Sequence, residues 1–353
     1  DKILPETTVR QALRASGNAP DKIVFYEHDW LKRARQIYAG QYRTALTKPR
    51  VSSLVPLVSS PHWITSTSVA HHHSHAAAGY YTSPYRDAAV LVVDSIGEWE
   101  TLTVWKGEGR NLKRVFSQGY PNSLGLWYSA MTQRIGLKPN EDEYILMGWA
   151  ALGDPEKYKK KIFEDFFYPL DPHSHTVKFK QNLHRGCFNW APELNSIQDY
   201  ADIAASTQAV YEYVFSHLVK QTKKLVDSEN LVIMGGCALN CVANSIAHKA
   251  YNGNVWIMPN PGDAGSSLGA ILAYNKDFVQ WNGPYLGYNI PGTYPVAKAI
   301  KELKETGLVG IANGKAEFGP RALGNRSLIA DPRGADVKDR VNTVKRRQEF
   351  RPF

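Results

Sequence analysis

Three short apolar segments, each followed by a turn that contains glycine, constrain the fold of this chain most. They lie at residues 88–93, 230–234 and 254–258. Apolar residues in an unbroken run are typical of strands that are covered on both faces, as in a largely parallel sheet. We therefore predict an α/β fold in which ligands bind at the ends of the strands.

The segments between these strands also have a readable pattern. Helices are predicted from the spacing of apolar residues at 7–16 and 203–225, and another at 268–274 after a glycine-rich turn at 259–265. A short strand is expected at 22–26, and a second strand at 101–105. We predict that the strand at 88–93 ends at Asp94 and is followed by a turn at 95–98. The strand at 101–105 then runs antiparallel to the strand at 88–93.

Charge and composition limit the class of partner. The formal charge is +9, but lysine and arginine are spread along the chain apart from two short clusters at 157–161 and 345–347. Distributed basic residues are typical of a solvated surface, which argues against nucleic acid as a partner. An enzyme that handles phosphates would account for the same excess.

The sequence also indicates a compartment. No apolar run approaches the ~20 residues that span a bilayer, and no signal peptide is recognised, so we predict a cytoplasmic protein without membrane contact. The three cysteines, Cys187, Cys237 and Cys241, give neither a disulfide framework nor a paired zinc motif, which fits a reducing compartment. A homodimer is left open.

The strongest local motif is a run of histidines followed by alanines, from Ala70 to Ala78. Alanine favours a helix, and on a helix His71 and His75 project from one face, where two imidazoles can share one metal ion. The alternatives are surface histidines or a hydrogen-bonded pair in the core. Because His72 and His73 lie between His71 and His75, the sequence alone does not establish which two histidines would bind a metal.

Two aspartates could complete such a site. Asp94 follows the apolar strand 88–93, and Asp263 lies in the turn Gly262-Asp263-Ala264-Gly265, so both belong where an α/β sheet gathers its ligand-binding side chains. Two histidines with two aspartates suit iron, manganese or zinc better than calcium or magnesium. The alternatives are a local Asx turn for Asp94 and a helix N-cap for Asp263.

Three turns that contain glycine are candidate contacts to phosphate or nucleotide. Glycine lets backbone N–H groups approach an anion closely, and a helix that begins just beyond adds a favourable dipole. None of the turns matches a P-loop or a dinucleotide fingerprint. The candidate residues in them are Gly97, Gly235, Gly236, Asn240 and Gly265.

A last motif, at residues 317–333, places three arginines in a loop defined by glycine and proline. Guanidinium groups bind phosphate through two parallel hydrogen bonds, which makes Arg321 and Arg326 candidate ligand contacts. A solvated basic loop is the alternative, and the apolar residues Phe318, Leu323 and Leu328 argue against it.

Taken together, these segments resemble the O-carbamoyltransferases that modify nodulation factors, cephamycins, aminoglycosides and ansamycins. The matching segments run along nearly the whole chain in the order of the family, and the pattern is therefore specific. They are His71-His72-x-x-His75-Ala76-Ala77, Asp94-x-x-Gly97-Glu98-x-x-Thr101, Met147-Gly148, Asp202-Ile203-Ala204-Ala205-Ser206-x-Gln208-Ala209-Val210, Gly235-Gly236-Cys237-Ala238-Leu239-Asn240-Cys241-Val242-Ala243-Asn244, Gly262-Asp263-Ala264-Gly265 and Gly319-Pro320-Arg321-Ala322-Leu323-Gly324-Asn325-Arg326-Ser327.

The resemblance implies an activity and a set of site residues. ATP and carbamoyl phosphate would form carbamoyl adenylate, from which the carbamoyl group passes to a hydroxyl of a small-molecule or glycan acceptor. His71, His75, Asp94 and Asp263 would hold a divalent metal, with iron expected, and the five candidate residues of the glycine turns would line the nucleotide pocket. Arg321 and Arg326 would reach a phosphate and, with the two histidines, form the catalytic set.

The resemblance also implies an actin-like ATPase fold of two ribonuclease-H-like lobes. We expect a first lobe at residues 1–121, a mostly helical insert at 122–196, a second lobe at 197–335 and the start of a connection at 336–353. The N-terminal strand of the family is expected to be missing before Asp1, and its C-terminal domain to be absent after Phe353.

One departure from the family concerns the substrate cleft. Relatives often carry lysine two residues before the Met-Gly pair, where this chain has Ile145. A tRNA threonylcarbamoyltransferase-like or hydrogenase-maturation carbamoyltransferase is the rival enzyme, since both share the spacing of His71 and His75. A catalytically silent nucleotide-binding module is the rival from another class.

Overall fold

The computed structural model describes residues 6–17, 22–47 and 65–351, which form a mixed α/β fold around a central sheet. Twelve α-helices occur in the described part of the chain. They are α1 (Glu6–Ser16), α2 (Asp29–Tyr38), α3 (Tyr42–Thr47), α4 (His71–Thr82), α5 (Leu124–Arg134), α6 (Glu143–Trp149), α7 (Lys159–Phe166), α8 (Ile197–Leu225), α9 (Cys241–Tyr251), α10 (Asp263–Asn275), α11 (Val296–Thr306) and α12 (Val337–Val344).

The strands number eleven over the same described ranges. They are β1 (Lys22–Phe25), β2 (Thr65–Ser68), β3 (Asp87–Gly97), β4 (Glu100–Glu108), β5 (Asn111–Gly119), β6 (Asn230–Met234), β7 (Asn254–Trp256), β8 (Asn289–Ile290), β9 (Leu308–Ala312), β10 (Gly314–Lys315) and β11 (Arg326–Ala330). The predicted α/β class is confirmed.

Contacts divide the chain into two compact units that interleave along the sequence. The first comprises residues 1–125, 170–179 and 216–279, and the second comprises 126–169, 180–215 and 280–353. The predicted division at residues 121, 196 and 335 stays a prediction, although the central sheet combines strands from both sides of residue 197.

The first unit is built on a five-stranded sheet in the order β5-β4-β3-β6-β7. Strand β4 pairs antiparallel with β3 and β5, whereas β6 lies parallel to β3 and β7 parallel to β6. Leu91 on β3 faces Val104 on β4 and Ile233 on β6, and all three side chains are fully buried. The continuous apolar run of β3 is therefore explained by its central position.

Helix α4 lies against this sheet at very short range. A Cβ atom on Gly79 would lie 2.5 Å from Cγ of Met234, and a Cβ atom on Gly269 of α10 would lie 1.9 Å from the carbonyl oxygen of Ser74. Both helices thus depend on small residues where they touch neighbouring elements. This packing fixes the N-terminal turn of α4 beside that of α10.

The second unit has its own aromatic core and two small antiparallel strand pairs. The ring of Trp127 lies 4.9 Å from that of Phe167, and the ring of Tyr128 lies 5.2 Å from that of Tyr211. Strand β9 pairs with β11, and β8 pairs with β10. The segment predicted as a loop at 317–333 therefore contains a strand, because β11 completes a pair with β9.

Several predicted boundaries are corrected. The strand expected to end at Asp94 continues to Gly97 through a register shift after Val93, so Asp94 lies within an irregular stretch of β3. Helix α10 begins at Asp263 rather than at Leu268, with Gly262 as its N-cap. Strand β5 was not predicted, because its mostly exposed, basic sequence lacks an apolar face.

No helix within the described ranges combines the length and the hydropathy that a membrane span requires.

Candidate metal centre

Three elements of the first unit bring the four predicted metal ligands together. His71 and His75 are one turn apart at the start of α4, Asp94 comes from β3, and Asp263 is the first residue of α10. The positions follow from the spacing of four residues on a helix and from the close packing of α4 and α10 described above.

The ligand atoms of these residues face one another. The Nε2 atoms of His71 and His75 are 3.0 Å apart, and Nε2 of His71 lies 3.1 Å from Oδ2 of Asp94 and 3.4 Å from Oδ1 of Asp263. Nε2 of His75 lies 3.3 Å from Oδ1 of Asp263 and 3.8 Å from Oδ2 of Asp94. One donor atom from each residue lies within 4.8 Å of all the others, so the four surround a common space.

The cluster is buried on one side and open on the other. His71, His75 and Asp94 are at most 7% exposed, whereas the side chain of Asp263 is 61% exposed. Buried imidazoles and a buried carboxylate need compensation for lost water, and a shared cation would supply it. The exposed side leaves room for an exchangeable ligand.

Contacts behind the cluster hold two of its members in place. The backbone N–H of Gly236 donates to Oδ1 of Asp94 at 3.2 Å, and Oγ of Ser266 lies 3.0 Å from Nδ1 of His75. Metal-binding histidines almost always donate the N–H of their second ring nitrogen to an outer partner. The hydroxyl of Ser266 gives His75 such a partner.

Electrostatics at the cluster favour positive charge. Burial is the largest influence on the pKa of Asp94 and would raise it, but hydrogen bonding to His71 and the two imidazoles lower this pKa to about 2. Burial would likewise lower the pKa of His71, yet Asp263, Asp94 and the nearby carboxylate of Glu27 hold it well above its usual value. Since two carboxylates stay ionised beside two imidazoles, a cation is stabilised here.

The donor set fits a metal ion of the first transition row. Two imidazole nitrogens and two carboxylate oxygens make a mixed site of the kind that suits iron, manganese or zinc. The observed separations of 3.0–3.8 Å match those of adjacent donors around an ion with bonds of ~2.0–2.2 Å. The distances in the cluster are thus compatible with a bound metal ion, and metal binding itself stays a prediction.

The neighbouring histidines have other roles. His72 is fully buried, and its Nδ1 lies 3.0 Å from Oγ1 of Thr103, while the ring of His73 stacks on Trp105 at 4.9 Å. The alternative of a surface histidine run is wrong, because His71, His72 and His75 are buried. His71 and His75, unlike His72 and His73, belong to the cluster of four donor residues, which distinguishes this pair from its neighbours.

The alternatives for the two aspartates are also excluded. Asp94 accepts a hydrogen bond from Gly236, which is distant in sequence, rather than closing a local turn. Asp263 is not the N-cap of α10, since Gly262 takes that position.

The glycines predicted to contact nucleotide have clear packing roles. A Cβ atom on Gly97 would lie 2.1 Å from Cδ2 of His71, and one on Gly235, where φ is 95°, would lie 2.2 Å from the carbonyl oxygen of Val93. A Cβ atom on Gly236 would lie 2.8 Å from Oδ1 of Asp94, and one on Gly265 would lie 1.9 Å from the carbonyl oxygen of Asn260. These roles explain the glycines without a nucleotide, so nucleotide contact stays a prediction.

Asn240 caps a helix. Its side-chain oxygen accepts a hydrogen bond from the backbone N–H of Ala243 at 3.0 Å, which satisfies a free donor in the first turn of α9.

The two predicted arginines belong to the second unit. The guanidinium of Arg326 donates to the carbonyl oxygens of Asn313 at 2.9 Å, Asn325 at 2.7 Å and Tyr288 at 2.9 Å. These bonds give Arg326 a structural role in holding β8, β10 and β11 together. Arg321 is exposed.

Two residues around the cluster were not singled out from the sequence. Glu27 follows β1 and places Oε2 3.8 Å from Nδ1 of His71, and Ser266 lies one turn after Asp263 on α10. Ser266 could have been found from the sequence, because it lies three residues after Asp263 and therefore on the same face of a helix. Glu27 carries no such signal, because its approach to His71 depends on how β1 packs beside α4.

Comparisons with known proteins bear on the family. Residues 41–272 match the model of the carbamoyltransferase N-terminus, and residues 300–353 match that of the carbamoyltransferase C-terminus. The second match covers the predicted connection at 336–353 and the end of the predicted second lobe, whose bounds stay predictions.

Three relatives illustrate the similarity. An uncharacterized protein of Synechocystis, sll1178, is 36% identical over 80% of this chain and 54% of its own length. Nodulation protein NolO of Bradyrhizobium diazoefficiens is 30% identical over 80% of this chain and 57% of its own. The 3'-hydroxymethylcephem-O-carbamoyltransferase of Amycolatopsis lactamdurans is 26% identical over 98% of this chain and 70% of its own.

The chain spans about half the length of most of the curated relatives it matches. Among solved structures, full-length HypF in its phosphate- and nucleotide-bound form covers 76% of this chain and 41% of its own, with 12% identity and a TM-score of 0.45. A similarity at this level defines neither fold nor activity. The N-terminal family match alone covers most of the chain, and the chain therefore belongs to the carbamoyltransferase family.

Proposed function

We propose that this chain is part of an ATP-dependent O-carbamoyltransferase, which uses carbamoyl phosphate as donor, forms carbamoyl adenylate and transfers the carbamoyl group to a hydroxyl of a small-molecule or glycan acceptor. The observation that carries the proposal is the convergence of His71, His75, Asp94 and Asp263 within a chain of the carbamoyltransferase family. Relatives named for cephem carbamoylation and for nodulation support this acceptor class.

The transfer step places specific demands on the site. The acceptor oxygen bonds to the carbamoyl carbon, the bond from that carbon to the adenylate oxygen breaks, AMP leaves, and the hydroxyl proton is released. A divalent metal held by His71, His75, Asp94 and Asp263, with iron as the expected ion, would supply positive charge that neutralises phosphate and polarises the carbamoyl carbonyl.

The residues of the chain would hold that charge in a fixed place. Gly236 restrains Asp94 and Ser266 restrains His75, so the donors are organised before substrate binds. Asp263, on the exposed side, leaves a direction from which phosphate oxygens can approach.

We further propose that the nucleotide lies at the strand ends beside the cluster. The turns with Gly97, Gly235, Gly236 and Gly265 offer closely packed backbone, and α10 begins at Asp263, where a helix dipole favours anions. Asn240 would complete this pocket. Arg321 and Arg326 are proposed to reach a phosphate, although Arg326 has carbonyl partners already.

The fold proposal is an actin-like ATPase fold of two ribonuclease-H-like lobes with a helical insert. The five-stranded sheet of the first unit supports one such lobe, because β4 alone runs antiparallel to the other four strands. We also propose that the protein is cytoplasmic and forms a homodimer. Neither a membrane nor nucleic acid is proposed as a partner.

The experiment uses the full-length gene product. Metal content is measured first by elemental analysis, and the protein is then incubated with labelled carbamoyl phosphate, ATP and a panel of sugar and small-molecule alcohols. We expect label on an acceptor hydroxyl, release of AMP, and no transfer without ATP. The variant His75→Ala should abolish transfer, whereas His73→Ala, a change on the same helix, should not.

Other outcomes would support the rival functions. Modification of tRNA in place of alcohols would support a threonylcarbamoyltransferase-like enzyme, and transfer to a hydrogenase maturation partner would support the other rival. A metal-free protein that fails to bind ATP would contradict the proposal and support a silent module.

A further inference from the structure

Within the described part of the chain, the second ring nitrogen of His71 lacks a hydrogen-bond partner. Nδ1 of His71 is buried and makes no hydrogen bond with any residue that the structure describes. Its Nε2, on the opposite side of the ring, faces Asp94, Asp263 and His75. If Nε2 gives its lone pair to a cation, the single proton of the neutral ring must reside on Nδ1. A buried donor in this position requires an acceptor.

The carboxylate of Glu27 places an acceptor near that nitrogen. Its Oε2 lies 3.8 Å from Nδ1 of His71, and the residue is only 6% exposed. A movement of about 1 Å would bring the two atoms to ordinary hydrogen-bond distance. A buried carboxylate next to an unpaired ring nitrogen is the outer arrangement that orients metal-binding histidines.

The position of Glu27 is itself fixed by several contacts. Lys32 on α2 donates to Oε1 of Glu27 at 2.5 Å and to Oε2 at 2.7 Å. On either side of Glu27 in sequence, the carbonyl of Tyr26 accepts a hydrogen bond from Ser74 Oγ at 3.1 Å, and the backbone N–H of His28 donates to Glu98. The carboxylate is thus held beside α4, and its charge is balanced by the Lys32 ammonium.

We propose that Glu27, oriented by Lys32, is the positioning residue of His71: it accepts the Nδ1–H of the ring and so directs the Nε2 lone pair to the cation. The proposal rests on the metal site of the proposed function and deepens it. The two histidines then differ, because His71 has a charged outer partner and His75 has the neutral hydroxyl of Ser266. A carboxylate partner makes the imidazole a stronger donor to a metal.

The test uses Co²⁺ as the probe metal on the full-length protein. Proton NMR of the Co²⁺-loaded wild type is expected to show two shifted, exchangeable ring N–H signals, one from each histidine. In Glu27→Leu one signal should be lost to solvent exchange, and the Kd for Co²⁺ should rise ~10- to 100-fold. In Ser266→Ala the other signal should be lost, which makes this variant the matched control.

Two further variants guard against a folding defect. Glu27→Gln keeps an oxygen acceptor at the same place, so both signals should remain and the Kd should rise less than in Glu27→Leu. Lys32→Met frees the carboxylate and should weaken Co²⁺ binding with circular dichroism unchanged.

The results separate this proposal from the proposed function. The role of Glu27 is overturned if Glu27→Leu keeps both ring N–H signals and binds Co²⁺ with a Kd within threefold of the wild-type value, while Ser266→Ala loses one signal. Where Glu27→Leu does not fold, the role is overturned if Glu27→Gln and Lys32→Met both bind Co²⁺ with the wild-type Kd. A wild type that takes up no metal refutes the metal site, and this proposal with it, whereas failure to transfer carbamoyl groups with the metal bound leaves the role of Glu27 standing.

Discussion

The backbone at Gly97 lies directly against the ring of His71, so that a Cβ atom at this position would lie 2.1 Å from Cδ2 and 2.5 Å from Cγ of the imidazole. Both atoms belong to a buried ring whose Nε2 faces the cluster. The end of β3 therefore sets the orientation of His71, the first of the predicted metal ligands. Only glycine leaves the imidazole in this place.

Gly97→Ala is accordingly expected to displace the ring of His71. Overpacking of this kind costs ~1–3 kcal/mol of unfolding free energy, and the displaced ring should no longer share an ion with His75. Elemental analysis should show metal content well below that of the wild type. Gly310→Ala is a suitable control, since a Cβ atom there would make only an ordinary contact of 3.6 Å with Leu328. Full metal content in Gly97→Ala would contradict the steric argument.

His75→Ala is expected to lose metal and keep its fold. The side chain is fully buried, so its removal should lower the unfolding free energy by about 2 kcal/mol, a cost that a domain of this size can absorb. Loss of a direct ligand should weaken binding beyond the ~10- to 100-fold typical of an outer partner. His73→Ala, on the same helix but stacked on Trp105, should retain the metal. Unchanged metal content in His75→Ala would show that this residue is not a ligand.

Asp94 should make the metal-free protein sensitive to acid. Its pKa is lowered from 3.8 to about 2 in the folded protein, so its contribution is present above pH ~4 and is lost as the pH falls towards 2. The size of this contribution is about 2 kcal/mol. Urea unfolding with a chelator, repeated between pH 5 and pH 2.5, should show a shallower loss of stability in Asp94→Asn than in the wild type.

A control for this pH series is Asp339→Asn, which removes an exposed carboxylate of α12. This variant should follow the wild type over the whole range. An equal slope for Asp94→Asn and the wild type would mean that Asp94 is not stabilised in its ionised form.

Sequence periodicity could predict the elements that carry the site. The histidines occupy one face of α4 because their spacing matches a helical turn, and β3 is central because its residues are apolar on both faces. The structure brings Asp94 and Asp263 to these histidines, as the positions after the apolar strands suggested. That the four bind a metal stays a prediction.

Other features depend on contacts between segments far apart in sequence. The approach of Glu27 to His71 requires the segment after β1 to lie beside α4, where Tyr26 accepts a hydrogen bond from Ser74, and no local pattern encodes this distance. The irregular end of β3 was missed for a similar reason, since the register shift after Val93 arises in the pairing with β4. Long-range pairing of this kind is invisible to a periodicity argument.

For Arg326, the role predicted from the sequence motif differs from the contacts that the side chain makes in the structure. The motif suggested a phosphate contact, whereas the guanidinium donates to the carbonyl oxygens of Asn313, Asn325 and Tyr288. Replacement by methionine leaves these acceptors without a charged donor, so Arg326→Met should lower the unfolding free energy by about 2 kcal/mol. Metal content should be unchanged, because the cluster lies in the other compact unit.

Thermal unfolding and ATP titration on the same preparations separate the two roles of Arg326. A structural role predicts a lower unfolding temperature for Arg326→Met and little change in the Kd for ATP once the folded fraction is accounted for. Arg321→Met, at an exposed position of the same motif, should weaken ATP binding, as expected of a phosphate contact. A stable Arg326→Met protein with weakened ATP binding would instead favour the phosphate role. Unchanged stability would mean that the hydrogen bonds from Arg326 to the three carbonyl oxygens do not stabilise the fold.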